Sequence, residues 1–201
     1  MAPGDAQRPH KQRVPREPRV ARNAVARRTS SLRDGSHVSI RAVTPDDRRE
    51  IADAFARLSP ESRYRRFFHA MDMLDERTLH YLTEIDHHDH EAIAAFDTID
   101  GHGVGIARYV LQRSDPRSAE IAVVVADDWQ HRGVGTLLLE RIVARARAEG
   151  VRRLEALVLG SNSVMINLLE EHGWTQSTLP HDGTVEMVFD DIIDHSVDAG
   201  G

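Results

Sequence analysis

The stretch Ala119-Glu120-Ile121-Ala122-Val123-Val124-Val125-Ala126-Asp127-Asp128-Trp129-Gln130-His131-Arg132-Gly133-Val134-Gly135-Thr136 decides the reading of this chain. Its first seven residues are the most apolar run in the sequence. Such a nearly continuous β-branched run predicts a strand buried on both faces. Gln130 to Thr136 then place two glycines, one residue apart, just ahead of an amphipathic segment. Leu138, Leu139, Ile142, Val143 and Ala146 fall on one face of that helix, which stops at Gly150. Glycines at a helix start let a ligand approach the backbone. The free N–H groups and positive dipole end of the first turn favour an anion such as a pyrophosphate. The loop is not a P-loop, because no Gly-Lys-Ser/Thr follows. It is not a Rossmann fingerprint either: the third glycine is missing, and the loop follows the fourth predicted strand, not the first.

Upstream, His37 to Val43 alternates polar and apolar residues and predicts a half-buried strand. Thr44-Pro45-Asp46-Asp47 opens a helix with Ile51, Ala54, Phe55 and Leu58 on one face. Ser59-Pro60-Glu61 opens a second helix through Tyr64, Phe67 and Phe68, and a short third helix carries Leu79 and Leu82. Ala92–Phe96 and Val104–Leu111 are strands joined by the Asp100-Gly101-His102-Gly103 turn. Downstream, Arg153–Leu159 is a strand, and Asn162 caps a helix bearing Met165, Leu168, Leu169 and His172. Short strands near Trp174–Thr178 and Thr184–Phe189 close the domain. This order predicts an α/β (α+β) domain, a mixed sheet with helices on both faces.

Composition narrows the chemistry. The 201 residues include no cysteine, which excludes disulfides, thiol nucleophiles, Cys-zinc sites and iron–sulfur clusters. No apolar run reaches the roughly 18 residues of a membrane helix, and no secretory signal opens the chain, so a cytoplasmic protein without a membrane partner is expected. The net charge of −6 is uneven: residues 1–30 carry +6 and the remainder −12. An acidic body does not read as a nucleic-acid binder, and it suits a cationic acceptor. Residues 1–30, with Pro3, Pro9, Pro15 and Pro18 and no aromatic, read as a disordered Arg/Pro-rich tail. The domain is expected over 31–192, with a flexible tail over 193–201. The one lysine, Lys11, lies in the basic tail.

Gln130, Gly133 and Gly135, preceded by Val-Val-Val-Ala-Asp-Asp-Trp, resemble the pyrophosphate loop of the GCN5-related N-acetyltransferase (GNAT) family. Asn162, Leu168, Glu170, Glu171, Gly173 and Trp174 match the family's downstream frame, with Trp in place of the usual Phe. The resemblance spans residues 37–190. It implies a sheet of about seven strands, the fourth splayed from the fifth. It also implies acetyl-CoA as co-substrate. Pantetheine is expected on the backbone of Val123, Val124 and Val125, and the pyrophosphate on N–H groups of Arg132, Gly133, Val134, Gly135 and Thr136. Gln130, His131 and Asn162 complete the expected cofactor set. A narrower resemblance, over Leu58-Ser59-Pro60-Glu61-Ser62-Arg63-Tyr64-Arg65-Arg66-Phe67 and Ala119–Val125, is to the acetyltransferase domain of bacterial Pat-type protein lysine acetyltransferases. It implies a protein acceptor such as an acyl-CoA synthetase. The attached regulatory domain common in that group has no room in this chain.

Transfer to an amine needs the neutral nucleophile, yet a lysine amine with a pKa near 10.4 is protonated at pH 7. A general base must take the proton. Glu120 is the candidate: it starts the most apolar strand, where a carboxylate is costly without a purpose. It also matches the catalytic glutamate of the Pat-type domain. Partial burial is expected to raise its pKa. The alternative is a strand-end carboxylate paired with an arginine such as Arg108. Backbone N–H of the splayed strand is the expected oxyanion donor. The tyrosine that many members use as general acid would fall at about Leu169. Without cysteine, direct transfer in a ternary complex follows.

Two other acceptor and role readings stay open: a small amine (amino acid, polyamine or antibiotic), and a non-catalytic acyl-CoA-binding module. The oligomeric expectation is a monomer or homodimer. Asp86-His87-His88-Asp89-His90 reads as a solvated loop and not a metal site, because consecutive side chains diverge. Arg63, Arg65 and Arg66 read either as an exposed helix face or as ligands of an acidic patch or the CoA 3′-phosphate.

Overall fold

The computed structural model describes residues 28–177 and 182–190. Lys11 and the rest of the basic segment before Arg28, Thr178 at the end of an expected strand, and the C-terminal residues from 191 onward lie outside the described residues.

The first described residues form strand β1 (Arg28–Ser31), which hairpins onto β2 (His37–Ala42). A 3₁₀ turn at Pro45–Asp47 leads into α1 (Arg48–Arg57). Asp47 fastens this start. Its carboxylate accepts from the Thr44 N–H at 2.8 Å and from both arms of the Arg41 guanidinium at 2.7 and 2.5 Å. In α2 (Pro60–Phe67) the Ser59 hydroxyl caps the Ser62 N–H at 3.1 Å, with Pro60 at the first position. In α3 (Glu76–Thr83) Asp75 caps Thr78 at 2.7 Å.

The remaining elements are β3 (His90–Asp97), β4 (Gly103–Leu111), β5 (Ser118–Val125), α4 (Val134–Ala148), β6 (Arg153–Leu159), α5 (Ser163–Glu171), β7 (Thr175–Gln176) and β8 (Thr184–Asp190). The sheet runs β1-β2-β3-β4-β5-β6-β8-β7, antiparallel except for β5 with β6. One face buries Ile93, Ala107, Tyr109 and Ile121 against Leu138, Leu139 and Ile142 of α4. The other buries Val43, Ala92, Ala94 and Phe96, with Ile51 of α1 packed on them. No helix among the described residues is long and apolar enough to cross a membrane.

Three expectations change. The sheet has eight strands, not about seven, because Arg28–Ser31 pairs along the edge. This strand includes Arg28 to Ser30, inside the segment read as a tail; a polar, mostly exposed edge strand carries no periodic apolar signal. The splayed pair becomes β5 and β6 in this count. Finally, β5 is not buried on both faces: Ala122 to Val125 are only partly buried. Their apolar side chains line an opening.

Candidate active site

The opening arises from incomplete strand pairing. β5 and β6 pair only at Ser118–Arg153, Ala119–Leu154 and Glu120–Glu155. Beyond that point β5 stays paired with β4, as far as Val125 with Gly105, and β6 with β8, as far as Leu159 with Thr184. Each strand follows its outer partner, and the two diverge. On this edge the backbone from Ile121 to Val125 is left without a strand neighbour. Unpaired backbone groups in a partly apolar wall seek a hydrogen-bonding partner, so this edge suits an extended amide-bearing chain such as pantetheine.

The loop after β5 closes one end of the opening. Gly133 has φ of 98°, and His131 φ of 61°. The left-handed turn at Gly133 strains any side chain, and it aims the start of α4 at the opening. The N–H groups of Arg132 to Thr136 donate to no acceptor among the described residues; the first recorded bond of the turn is Leu137 N–H to the Gly133 carbonyl at 3.0 Å. This is a ready anion cradle. Gly135 is needed for space. A Cβ there would lie 3.3 Å from Leu168 Cδ2 and 3.7 Å from Val125 Cγ2.

The resulting cleft has a volume of about 450 Å³. Val123, Val124, Val125, Gln130, His131, Gly133, Gly135, Thr136 and Asn162 of the expected cofactor set all line it. Two expected residues turn their side chains elsewhere. Val134 is 1% exposed in the core and offers the cleft only its N–H. Arg132 lies over the Trp129 ring at 4.8 Å and faces Asp34 at 3.5 Å. Gln130 acts as a strut, its side-chain amide donating to the Val125 carbonyl at 3.2 Å. Asn162 caps α5 by accepting from the Met165 N–H at 3.3 Å, at the rim of the cleft.

Glu120 stands at the last paired position, the crotch of the fork. It is exposed, not partly buried. It opens on a small recess of about 60 Å³ between the diverging strands. The recess is also lined by Leu169, the position where the family resemblance places a tyrosine; here it is 2% exposed and packs in the core. Arg108 does not pair with Glu120. It donates to His90 Nε2 at 3.2 Å instead.

Helix α2 walls the cleft opposite α5. Asp127 pins it in place. Its carboxylate accepts from the Ser59 N–H and hydroxyl, both at 2.8 Å, and from the Ser62 hydroxyl at 2.7 Å. Burial works to raise the Asp127 pKa, but these bonds prevail and hold it below the usual carboxylate value. The three arginines of α2 divide. Arg63 is structural: it donates to the Asp72 and Ala56 carbonyls and covers Phe55. Arg65 pairs with Glu61 at 2.5 Å and borders the cleft, as does Arg66. The histidine-rich loop also divides. His87 meets Glu91 at 2.7 Å, His88 meets Glu149 at 3.2 Å, and His90 stacks on Tyr81. Among the described residues no group of three acidic or histidine side chains is arranged to hold a metal.

Sequence reasoning missed Arg33 and Ser62 as cleft residues. Arg33 reaches the loop only because β1 and β2 form a hairpin beside it. Ser62 arrives through the Asp127 link, 65 residues away along the chain. Neither carries a local motif.

A diverging parallel pair, a glycine-marked anion loop and a carboxylate at the fork define an acyl-CoA-dependent transferase. The sequence model of the acetyltransferase (GNAT) family matches residues 50–174. The chain belongs to that family. It is 31% identical over 150 residues to acetyltransferase Pat of Mycolicibacterium smegmatis, covering 74% of this chain and 45% of that one. It thus spans less than half the length of that relative. It is 32% identical over 156 residues to acetyltransferase PA5475 of Pseudomonas aeruginosa, covering 77% and 83%. The crystal structure of the GNAT domain of S. lividans PAT superposes with a TM-score of 0.76 at 35% identity, covering 82% of this chain and 96% of that one.

Proposed function

We propose that this protein acetylates lysine side chains of other proteins, with an acyl-CoA synthetase as a model acceptor, and that Glu120 is the general base. The observation that carries the proposal is the position of Glu120 at the fork, exposed and without a hydrogen bond among the described residues, beside the cleft suited to acetyl-CoA. The thioester supplies an activated acyl carbon.

The residues of the chain do the rest. Backbone of Val123 to Val125 holds the pantetheine arm, and N–H groups of Arg132 to Thr136 hold the pyrophosphate. Glu120 takes the proton from an incoming ammonium, leaving a neutral amine to attack. The new C–N bond forms as the C–S bond breaks; the nitrogen then loses its second proton through water, and the CoA thiolate takes one up the same way, since Leu169 offers no proton. With no cysteine in the chain, no acyl-thiol on the enzyme intervenes. The acidic body draws a cationic acceptor. The carboxylate of Glu120 at the fork, with Leu169 in place of a tyrosine, favours lysine over a small amine as acceptor.

The test is to incubate the protein with acetyl-CoA and either a proteome or an acyl-CoA synthetase panel, and to map acetyl-lysines by mass spectrometry. Modification at defined lysines of an acceptor protein is expected. Acetylation confined to small amines contradicts the reading.

A further inference from the structure

On the far side of β5 from α4, a second cavity of about 80 Å³ lies under α1, α2 and α3. Its walls are largely apolar: Ile51, Phe55, Phe67, Leu82, Ala94 and Ile106. Arg66 of α2 and Arg108 of β4 also line it. Arg108 is 4% exposed. Among the described residues neither arginine has a carboxylate partner. Arg108 donates to the His90 ring nitrogen at 3.2 Å and, at the limit of hydrogen-bond length, to the Leu82 carbonyl at 3.4 Å. Arg66 only covers the Phe67 ring at 5.0 Å.

The charges are real. Burial, then repulsion from Arg66, pushes Arg108 down to about 9, which leaves it protonated at pH 7. Burial, then Arg108, pushes His90 down to about 4, so the imidazole is neutral and accepts the bond. Acidic groups do line the cavity, but both are committed. Asp47 is held by Arg41, and Glu50 accepts from the Gly103 N–H at 2.7 Å and from Arg57 at 3.1 Å. Two adjacent cations line an apolar recess, Arg108 buried with no ion pair among the described residues and Arg66 with only the exposed Glu120 carboxylate acting on it, and such a recess suits an anion.

The recess adjoins the acyl-transfer centre. Val124 and Arg66 line both it and the cofactor cleft, and Arg66 also borders the fork beside Glu120. Its volume equals about five or six waters on the same scale, which matches a carboxylate-tipped chain of four or five heavy atoms. We propose that Arg66 and Arg108 bind the free carboxylate of a dicarboxylic acyl-CoA, malonyl-CoA or succinyl-CoA, so that the protein transfers acidic acyl groups as well as acetyl. The inference rests on the acyl-transfer reading of the same fork. The bond changes are those of acetyl transfer: C–N forms, C–S breaks, and the distal carboxylate stays ionised and unreacted.

The test reads binding, not turnover. Dissociation constants of succinyl-CoA, malonyl-CoA and the neutral butyryl-CoA are measured by calorimetry on the full chain, its Arg108→Gln variant and its Arg66→Gln variant. The wild type is expected to favour one of the acidic thioesters over butyryl-CoA by roughly tenfold or more, and each variant to reduce that ratio to about threefold or less. Arg66 lies on partly exposed α2, so its variant carries the test where Arg108→Gln does not fold. Equal binding of acidic and neutral thioesters by the wild type, or an unchanged ratio in a folded variant, overturns the site. Because no acceptor is present, lysine acetylation stands or falls independently of this result.

Discussion

The two faces of the sheet treat buried charge in opposite ways. On the α4 face Glu91 is 1% exposed, and its charge is fully answered. Arg145 donates to it at 2.7 Å and to Glu149 at 2.6 Å, while His87 and the Ala92 N–H meet its other oxygen. Beside this network the Tyr109 hydroxyl is pushed up, by burial first and then by the Glu91 charge. On the helix α1–α3 face Arg108 is as deeply buried, one strand away, and has no anion. The paired charges finish a structure. The unpaired one marks a surface that is finished by a substrate. Glu120, Ala122, Val124 and Arg108 alternate onto this second face through the register of β4 and β5. The chemistry is therefore gathered on the face whose packing is incomplete.

The contrast is open to direct attack, and the largest effect is expected on the closed face. Glu91→Ala leaves Arg145 with Glu149 alone and strips the buried network of its centre, and should lower stability by about 3 kcal/mol in urea unfolding. Arg108→Met removes a buried charge with no ion pair among the described residues, at the cost of its bond to His90, so the same assay should show it neutral or stabilising by about 1 kcal/mol. Equal losses in the two variants would erase the distinction between the faces.

A middle-sized effect belongs to the cleft. Gly135→Val places branches against Leu168 and Val125. Overpacking of this kind costs about 1–3 kcal/mol. Acetyl-CoA binding is expected to weaken about tenfold or more by calorimetry, and wild-type affinity would show that α5 yields freely.

The smallest effect is on pH dependence. His90 has its pKa lowered from 6.5 to about 4, so between these values the unfolded chain binds the extra proton. Stability contributed by the neutral ring is present above pH 6.5 and lost as pH falls towards 4. The urea midpoint should fall over that window, and His90→Gln should flatten the slope. An unchanged slope would place the titration elsewhere.

Much of this was legible beforehand, for reasons that differ along the chain. Strand β6 and helix α4 carry strong periodic signals, and β6 matches its expected bounds at both ends. The anion loop was legible because Gly133 and Gly135 solve a backbone problem that leaves a mark in sequence. The apolar run of β5 predicts a strand but not its half-open burial, because hydrophobicity does not distinguish a core wall from a ligand-facing wall. β1 escaped notice because a polar edge strand pairs through its backbone alone. Arg33 and Arg108 were invisible as site residues. The first depends on a hairpin. The second depends on the absence of a carboxylate partner among the described residues, which only three dimensions reveal.

The central claim is that Glu120 removes the amine proton at the fork, and one pairing of measurements tests it. Glu120→Gln keeps the shape of an exposed side chain with no hydrogen bond among the described residues, so the fold and the acetyl-CoA dissociation constant should stay near wild type. The rate of acetyl transfer to a lysine acceptor from preloaded acetyl-CoA should fall by about 10²–10⁴-fold, the usual worth of a positioned base. A Glu120→Gln protein that binds acetyl-CoA normally and transfers at the wild-type rate would contradict the account.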